Sequence, residues 1–213
     1  GESSTAAPAA DDDKKAKINI TGDVSIKGAD NQTWGIGVNS ENVFSRFNNA
    51  GILAAVNNSS VTVDGSVYMD VYGNGIATTA EGSTVTVKGG EITVPTGMNY
   101  GYYTLASYLG TIHMNTGAEG NAPGSETVKL DGDIFALKDT GNINLALTNA
   151  ESYLNGAIDN GGNVKLYLQN GAIWNNEANN TRYSLDSEDT GSLFGSDRAS
   201  RVNTFVGADK LEN

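Results

Sequence analysis

The sequence predicts an all-β fold, a parallel β-helix in which short strands stack pass upon pass. Three observations carry this expectation: an internal repeat, a period of two in the apolar residues, and an abundance of turn formers. The repeat is plainest between residues 51–65, GILAAVNNSSVTVDG, and residues 75–89, GIATTAEGSTVTVKG, which are offset by 24 residues and identical at seven positions. Those positions are Gly51/Gly75, Ile52/Ile76, Ser59/Ser83, Val61/Val85, Thr62/Thr86, Val63/Val87 and Gly65/Gly89. Between Gly75 and Val94 the apolar residues Val85 and Val87, then Ile92 and Val94 beyond a Gly89-Gly90 turn, recur at every second position, which is the period of a strand. A repeat of this length, with two or three short strands between Gly and Asn turns, is the size of one coil. A single coil has too little apolar surface to fold, and stacking supplies it with neighbours above and below.

Composition agrees. Gly (27) and Asn (25) make up 52 of the 213 residues, about twice the share of an ordinary mixed domain, whereas Pro occurs only three times. Both residue types tolerate the positive φ of tight turns, so their even spread implies many short strands and disfavours helices. The length suits one domain with a substantial core. A formal charge of −12 with only 13 Lys and Arg leaves no basic face for phosphates, so nucleic acid is not an expected partner. The longest apolar runs, such as Ile52 to Val56, fall far short of the ~20 residues that cross a bilayer, and no insertion of this segment into a membrane is expected. No secretory signal is legible at the start, which suggests a mature or trimmed fragment. The absence of Cys excludes disulfides and thiolate metal sites and suits a protein exported unfolded.

Along the chain, residues 1–15 (GESSTAAPAADDDKK) lack periodicity and are expected to be a disordered leader or linker, with residues 16–213 forming a single β-helix domain. Order begins at Lys17. Ile18, Ile20, Val24 and Ile26 flank Gly22 as Val61, Val63, Val67 and Met69 flank Gly65. From Ala29 to Ala50 the pattern loosens, and because Gly22 and Gly65 are 43 residues apart, this segment is expected to be an irregular coil of its own. The two clean copies follow. Pro95 cannot donate to a ladder and should end the strand that closes at Val94. Residues 102–114 restate the motif with Ile112 in the place of Val85, and residues 117–125, with three Gly and a Pro, make a loop. Next, TVKLDGDIFAL at 127–137 resembles the Gly65 and Gly89 phrases, and Ile143 and Val164 supply two more marker strands. The markers Val61, Val85, Ile112, Ile143 and Val164 are separated by 24, 27, 31 and 21 residues, as coils of similar size with loops of varying length would be. The register between residues 111 and 145 is left open by the sequence. Residues 176–213 lose the alternation except at 201–206 and are expected to be an irregular or truncated final coil, giving about seven coils in all.

The repeated phrases, above all INLALTN and YLNGAIDNGGNVKLYLQNGAIWNN within residues 143–176, resemble passenger domains of bacterial autotransporters, the type V secretion family. The resemblance covers roughly residues 17–175, with NGAIWN at 170–175 its most specific piece. It implies a right-handed parallel β-helix carried through the outer membrane to the bacterial cell surface by a C-terminal barrel, with roles in adhesion, aggregation, biofilm formation and virulence. No Gly-Asp-Ser-Gly nucleophile phrase occurs, which argues against the proteolytic branch of that family.

The functional expectation is therefore a non-enzymatic, extracellular adhesin segment, without cofactor or metal. Its partner would be a host or bacterial surface protein or glycan, or another copy of itself. The alternatives are a polysaccharide-degrading lyase or hydrolase and a purely structural stalk. Candidate contact residues are the aromatics Trp34, Tyr100, Tyr102, Tyr103 and Tyr108, since exposed aromatic side chains bind sugars and proteins at little entropic cost. For the enzyme alternative, Asp64, Asp131, Asp133 and Lys88 flank the turn glycines and could gather as an acid/base site, though an exposed Asp64–Lys88 pair in one column is the plainer expectation. His113, the only histidine, should point outward beside Ile112 and Met114 and be solvated, since one His without Cys makes a poor zinc site. Neither an EF-hand nor a calcium-binding nonapeptide repeat is present, and the acidic runs at 11–13 and 186–189 are expected to be solvated.

Overall fold

The computed structural model describes residues 15–28, 35–38, 49–96, 102–160, 162–178 and 200–207. Among these residues all regular structure is strand, and the 15 strands belong to one curled sheet. Every strand-to-strand pairing in it is parallel. An isolated antiparallel bridge joins Thr116 and Pro123.

The pairings sort into three ladders. The first, ladder A, runs through β1 (Lys17–Ile20), the start of β5 (Ser60–Asp70), the middle of β6 (Asn74–Thr93), the end of β7 (Leu105–Met114), β10 (Gly141–Leu147), β13 (Asn163–Leu168) and β15 (Thr204–Gly207). Ladder B runs through β2 (Val24–Lys27), the ends of β5 and β6, β8 (Val128–Asp131), β11 (Tyr153–Asn155) and β14 (Ile173–Asn175). Ladder C runs through β3 (Ile36–Val38), β4 (Ala50–Ala54), the starts of β6 and β7, β9 (Ile134–Ala136) and β12 (Ile158–Asn160). From β4 to β14 the chain visits C, A and B in turn and then starts again.

The register is the one the repeat predicts. Ile18, Val61, Val85, Ile112, Ile143 and Val164 are successive partners on ladder A. Ile26, Met69, Ile92, Leu130, Leu154 and Trp174 are successive partners on ladder B. The pairing Gly110↔Gly141 settles the interval that the sequence left open. Alternation turns these columns inward, where Val61, Val85, Ile112, Ile92 and Leu130 are fully buried in one continuous apolar cluster. Each such side chain contributes about 1.5 to 3 kcal/mol relative to its exposed state. Gly90 in this stack is obligatory. Its φ is +126°, and a Cβ there would fall on the Val67 carbonyl oxygen of the preceding pass.

Three expectations need correcting. The irregular coil expected over residues 29–50 is incomplete: it adds no rung to ladders A or B, because Ile18 pairs directly with Val61 and Val24 with Val67, while its described strand β3 adds a rung to ladder C against β4. Gly65 and Gly89, aligned in the sequence, are not partners, since the register shifts between Val63 and Ser66 and sets Ser66 opposite Gly89. The Asp131-Gly132-Asp133 phrase does not share the corner of Asp64 and Lys88: Asp131 pairs with Thr93 at the far end of ladder B, so the phrase lies at the turn from B to C.

Candidate functional site

Outward columns decide what a stacked sheet offers a partner, and here ladder C is covered while ladder A is covered only around His113. Outside ladder C, the column Leu53, Ala77, Ala106 and Phe135 is buried beneath Tyr103 and Tyr108. The Phe135 ring lies 5.1 Å from that of Tyr103 and 5.0 Å from that of Tyr108. This corrects the expectation of an exposed aromatic cluster. Tyr103 and Tyr108 are only 3% and 8% exposed and act as packing for a second apolar core. Tyr102 is half-buried, edge-on to Tyr72 at 5.5 Å, and burial raises its pKa. Trp34 and Tyr100 lie outside the described residues.

Outside ladder A, Asp64 and Lys88 do stack as expected, with Nζ 2.5 Å from Oδ1 and both side chains more than half exposed. The hydrogen bond to Asp64 raises the Lys88 pKa. His113 points outward, as alternation requires, but is not solvated. It is 5% exposed, and burial lowers its pKa. Residues 115–127 fold back over this part of the ladder, as the contact of the Tyr167 hydroxyl with the Gly120 carbonyl shows.

The candidate carboxylates do not gather. Asp64 is held in its surface ion pair, Asp131 accepts from the Tyr153 hydroxyl (2.8 Å) and from Asn155 Nδ2 (2.7 Å), and Asp133 is fully buried, its Oδ1 accepting from the Ala157 N–H at 2.9 Å. Among the described residues no group of three or more His, Asp or Glu is placed to hold a metal ion.

Ladder B is the open face. Two outward columns run side by side: Ser25, Tyr68, Glu91, Lys129, Tyr153 and Ile173, and beside them Lys27, Asp70, Thr93, Asp131, Asn155 and Asn175. Tyr68 and Ile173 are about half exposed, at 49% and 52%. The second column ends in a polar row with one sense of donation, Asn175 Nδ2 to Asn155 Oδ1 (2.6 Å) and Asn155 Nδ2 to Asp131 Oδ1 (2.7 Å). Next to it an open depression of about 360 Å³ is lined by Asn155, Asn175, Asn176 and Glu177. Partial burial and the bond to Asp131 push the Tyr153 pKa up to about 12, so this phenol stays a hydrogen-bond donor throughout the physiological range. Sequence reasoning missed this face, although the signal was present. Tyr68 lies between the inward Val67 and Met69, and the same alternation places Tyr153 outward beside Leu154.

No known protein family, curated protein or solved structure matches the chain.

Proposed function

We propose that this chain is a non-enzymatic attachment segment, a right-handed parallel β-helix of about seven coils that resembles autotransporter passenger domains and is displayed on a bacterial cell surface after export through the outer membrane. The observation that carries the proposal is the outward face of ladder B. It sets half-exposed Ile173 beside an ordered amide row, with half-exposed Tyr68 farther along the same face, a combination of apolar anchors and fixed polar groups suited to gripping a surface protein or glycan, or a second copy. The engagement of each candidate carboxylate, Asp64 in an ion pair, Asp131 with Tyr153 and Asn155, and Asp133 in the interior on the Ala157 N–H, weighs against the polysaccharide-degrading alternative, whose acid/base pair must face the substrate.

The test is binding of the labelled chain to bacterial and host cells, alongside sedimentation of the chain alone at low and physiological salt. With a charge of −12, copies repel over ~10 Å or more at low salt, so self-association should strengthen as salt rises. Tyr68→Ser and Ile173→Ser should weaken whichever contact is found. Neither binding nor self-association at any salt would leave the stalk as the surviving function. Release of reducing or unsaturated sugars from a polysaccharide panel would overturn the proposal.

A further inference from the structure

The excursion between β7 and β8 is unlike its counterparts. At the same corner the other passes turn from ladder A to ladder B within a few residues, Val63 to Val67 and Val87 to Gly90, whereas residues 115–127 leave the sheet and return. Its base is fastened by the buried Asn115 side chain, and also by Thr148 Oγ1 donating to the Gly124 carbonyl (2.8 Å) and Asn149 Nδ2 to the Ser125 carbonyl (3.3 Å). Asn115 Nδ2 faces the Glu126 carbonyl (2.8 Å), the Ala146 carbonyl (3.0 Å) and Thr148 Oγ1 (3.2 Å), while its Oδ1 accepts from the Glu126 N–H (3.1 Å). Its tip is a tight turn in which the Gly120 N–H donates to the Gly117 carbonyl and the Gly117 N–H to the Ala122 carbonyl. Gly120, with φ +64°, presses directly on the Asn144 side chain, and its carbonyl accepts from the Tyr167 hydroxyl at 3.2 Å. The excursion thus crosses β10 and reaches β13.

Beneath it runs the outward column Thr86, His113, Asn144, Lys165. The His113 ring meets Asn144 through Nδ1···Nδ2 at 3.3 Å, an arrangement in which a neutral Nδ1 accepts from the carboxamide. Protonation would set a second donor against that donor and place a charge in a buried site. Nothing packed against the ring offers a compensating carboxylate. β6 presents Thr86 and β10 presents Asn144, both uncharged. β13 presents Lys165, a cation, with its Nζ 5.1 Å from the centre of the Tyr167 ring. The excursion itself carries Glu119 and Glu126, both exposed, the first bonded to Asn121 and the second near Lys88.

We propose that residues 115–127 are a strap whose seating on ladder A is set by the charge of His113: seated while the ring is neutral, released on acidification, uncovering Asn144 and Tyr167. The sign follows from linkage. Burial lowers the histidine pKa in the seated state, so the released state takes up the proton more readily. Seating is therefore complete above the ordinary histidine value of about 6.5 and weakens as pH falls through it.

The test is hydrogen exchange of the full chain at pH about 7.5 and about 5.5, either side of that value, corrected for the intrinsic pH dependence of exchange. Protection at the Gly117, Gly120 and Gly124 amides should fall in the acidic sample, by at most roughly tenfold, the limit set by working about one unit below the ordinary histidine value. His113→Gln, which keeps an uncharged polar group beside Asn144, should hold its protection at both pH values. Tyr167→Phe removes the tip contact, so protection should be lower at both pH values with the pH dependence retained. An NMR titration of the single histidine in the unaltered chain needs no variant and should give a value below the ordinary one. A histidine titrating at or above its ordinary value, equal protection at both pH values, or the same acid-induced loss in His113→Gln would each overturn the proposal.

Discussion

Val85 and Ile112, 27 residues apart in the chain, face each other across β6 and β7 with both side chains fully buried. Thr86, one residue on, points the other way and is half-buried on the outer face. Val85→Asp would leave an unpaired carboxylate in the stack and should cost roughly 3 to 5 kcal/mol. Thr86→Asp, on the half-buried outer face beside His113, should cost much less. Thermal unfolding of the two variants checks the register, and equal shifts in Tm would contradict it.

Gly90 makes a sharper test, because any Cβ there meets backbone rather than a yielding side chain. Gly90→Ala should depress Tm strongly or prevent folding. Gly22→Ala, where an added Cβ meets nothing within 4 Å, should leave Tm little changed.

The aromatic cluster outside ladder C should behave as core. Phe135→Ala removes the ring between Tyr103 and Tyr108 and should cost about 3 to 5 kcal/mol. Lys88→Ala, which breaks an exposed ion pair, should leave the urea midpoint unchanged within error.

Tyr153 should make stability fall in alkali. Its folded pKa of about 12 lies above the ordinary value of 10.0, so between those values the unfolded chain has lost a proton that the folded one keeps. The contribution of this tyrosine is thus fully present below pH 10 and is lost as pH rises toward 12. Phenolate absorbance during an alkaline titration should show a late-ionising tyrosine that is absent in Tyr153→Phe and shifts down in Asp131→Asn.

The inward columns were legible because one physical fact, the two-residue period of a strand, decides which side chains face the core. That is why Ile18, Val61, Val85, Ile112, Ile143 and Val164 could be aligned without knowing the loops between them. The same fact is silent on whether an outward side chain meets water or another segment. His113 and Tyr108 both point away from the main core, and both are buried, one beneath residues 115–127 and the other against Phe135. Asp131 was misplaced for a different reason. An Asp-Gly turn suits the corner after ladder A and the corner after ladder B equally well, so the dipeptide alone does not say which corner it occupies. The polar row on ladder B escaped notice because its members, Asp131, Asn155 and Asn175, come from three separate passes and meet only when the register is applied.

The pairing of Ile18 with Val61 has a mechanical consequence. Each rung is held only by the passes on either side of it, so tension on the two termini loads the outermost rungs first and should peel the sheet inward from its ends. Detaching an interior pass such as the 24 residues from Val61 to Val85 would lengthen the chain by about 80 Å, at ~3.5 Å per extended residue. The 43-residue interval from Ile18 to Val61 would give roughly 150 Å in all, but in stages, because β1 and β2 are both held by β5, β3 by β4 and β4 by β6. In a force–extension record this stretch should therefore give several short steps rather than one long one, so that it yields gradually before the interior stack is loaded.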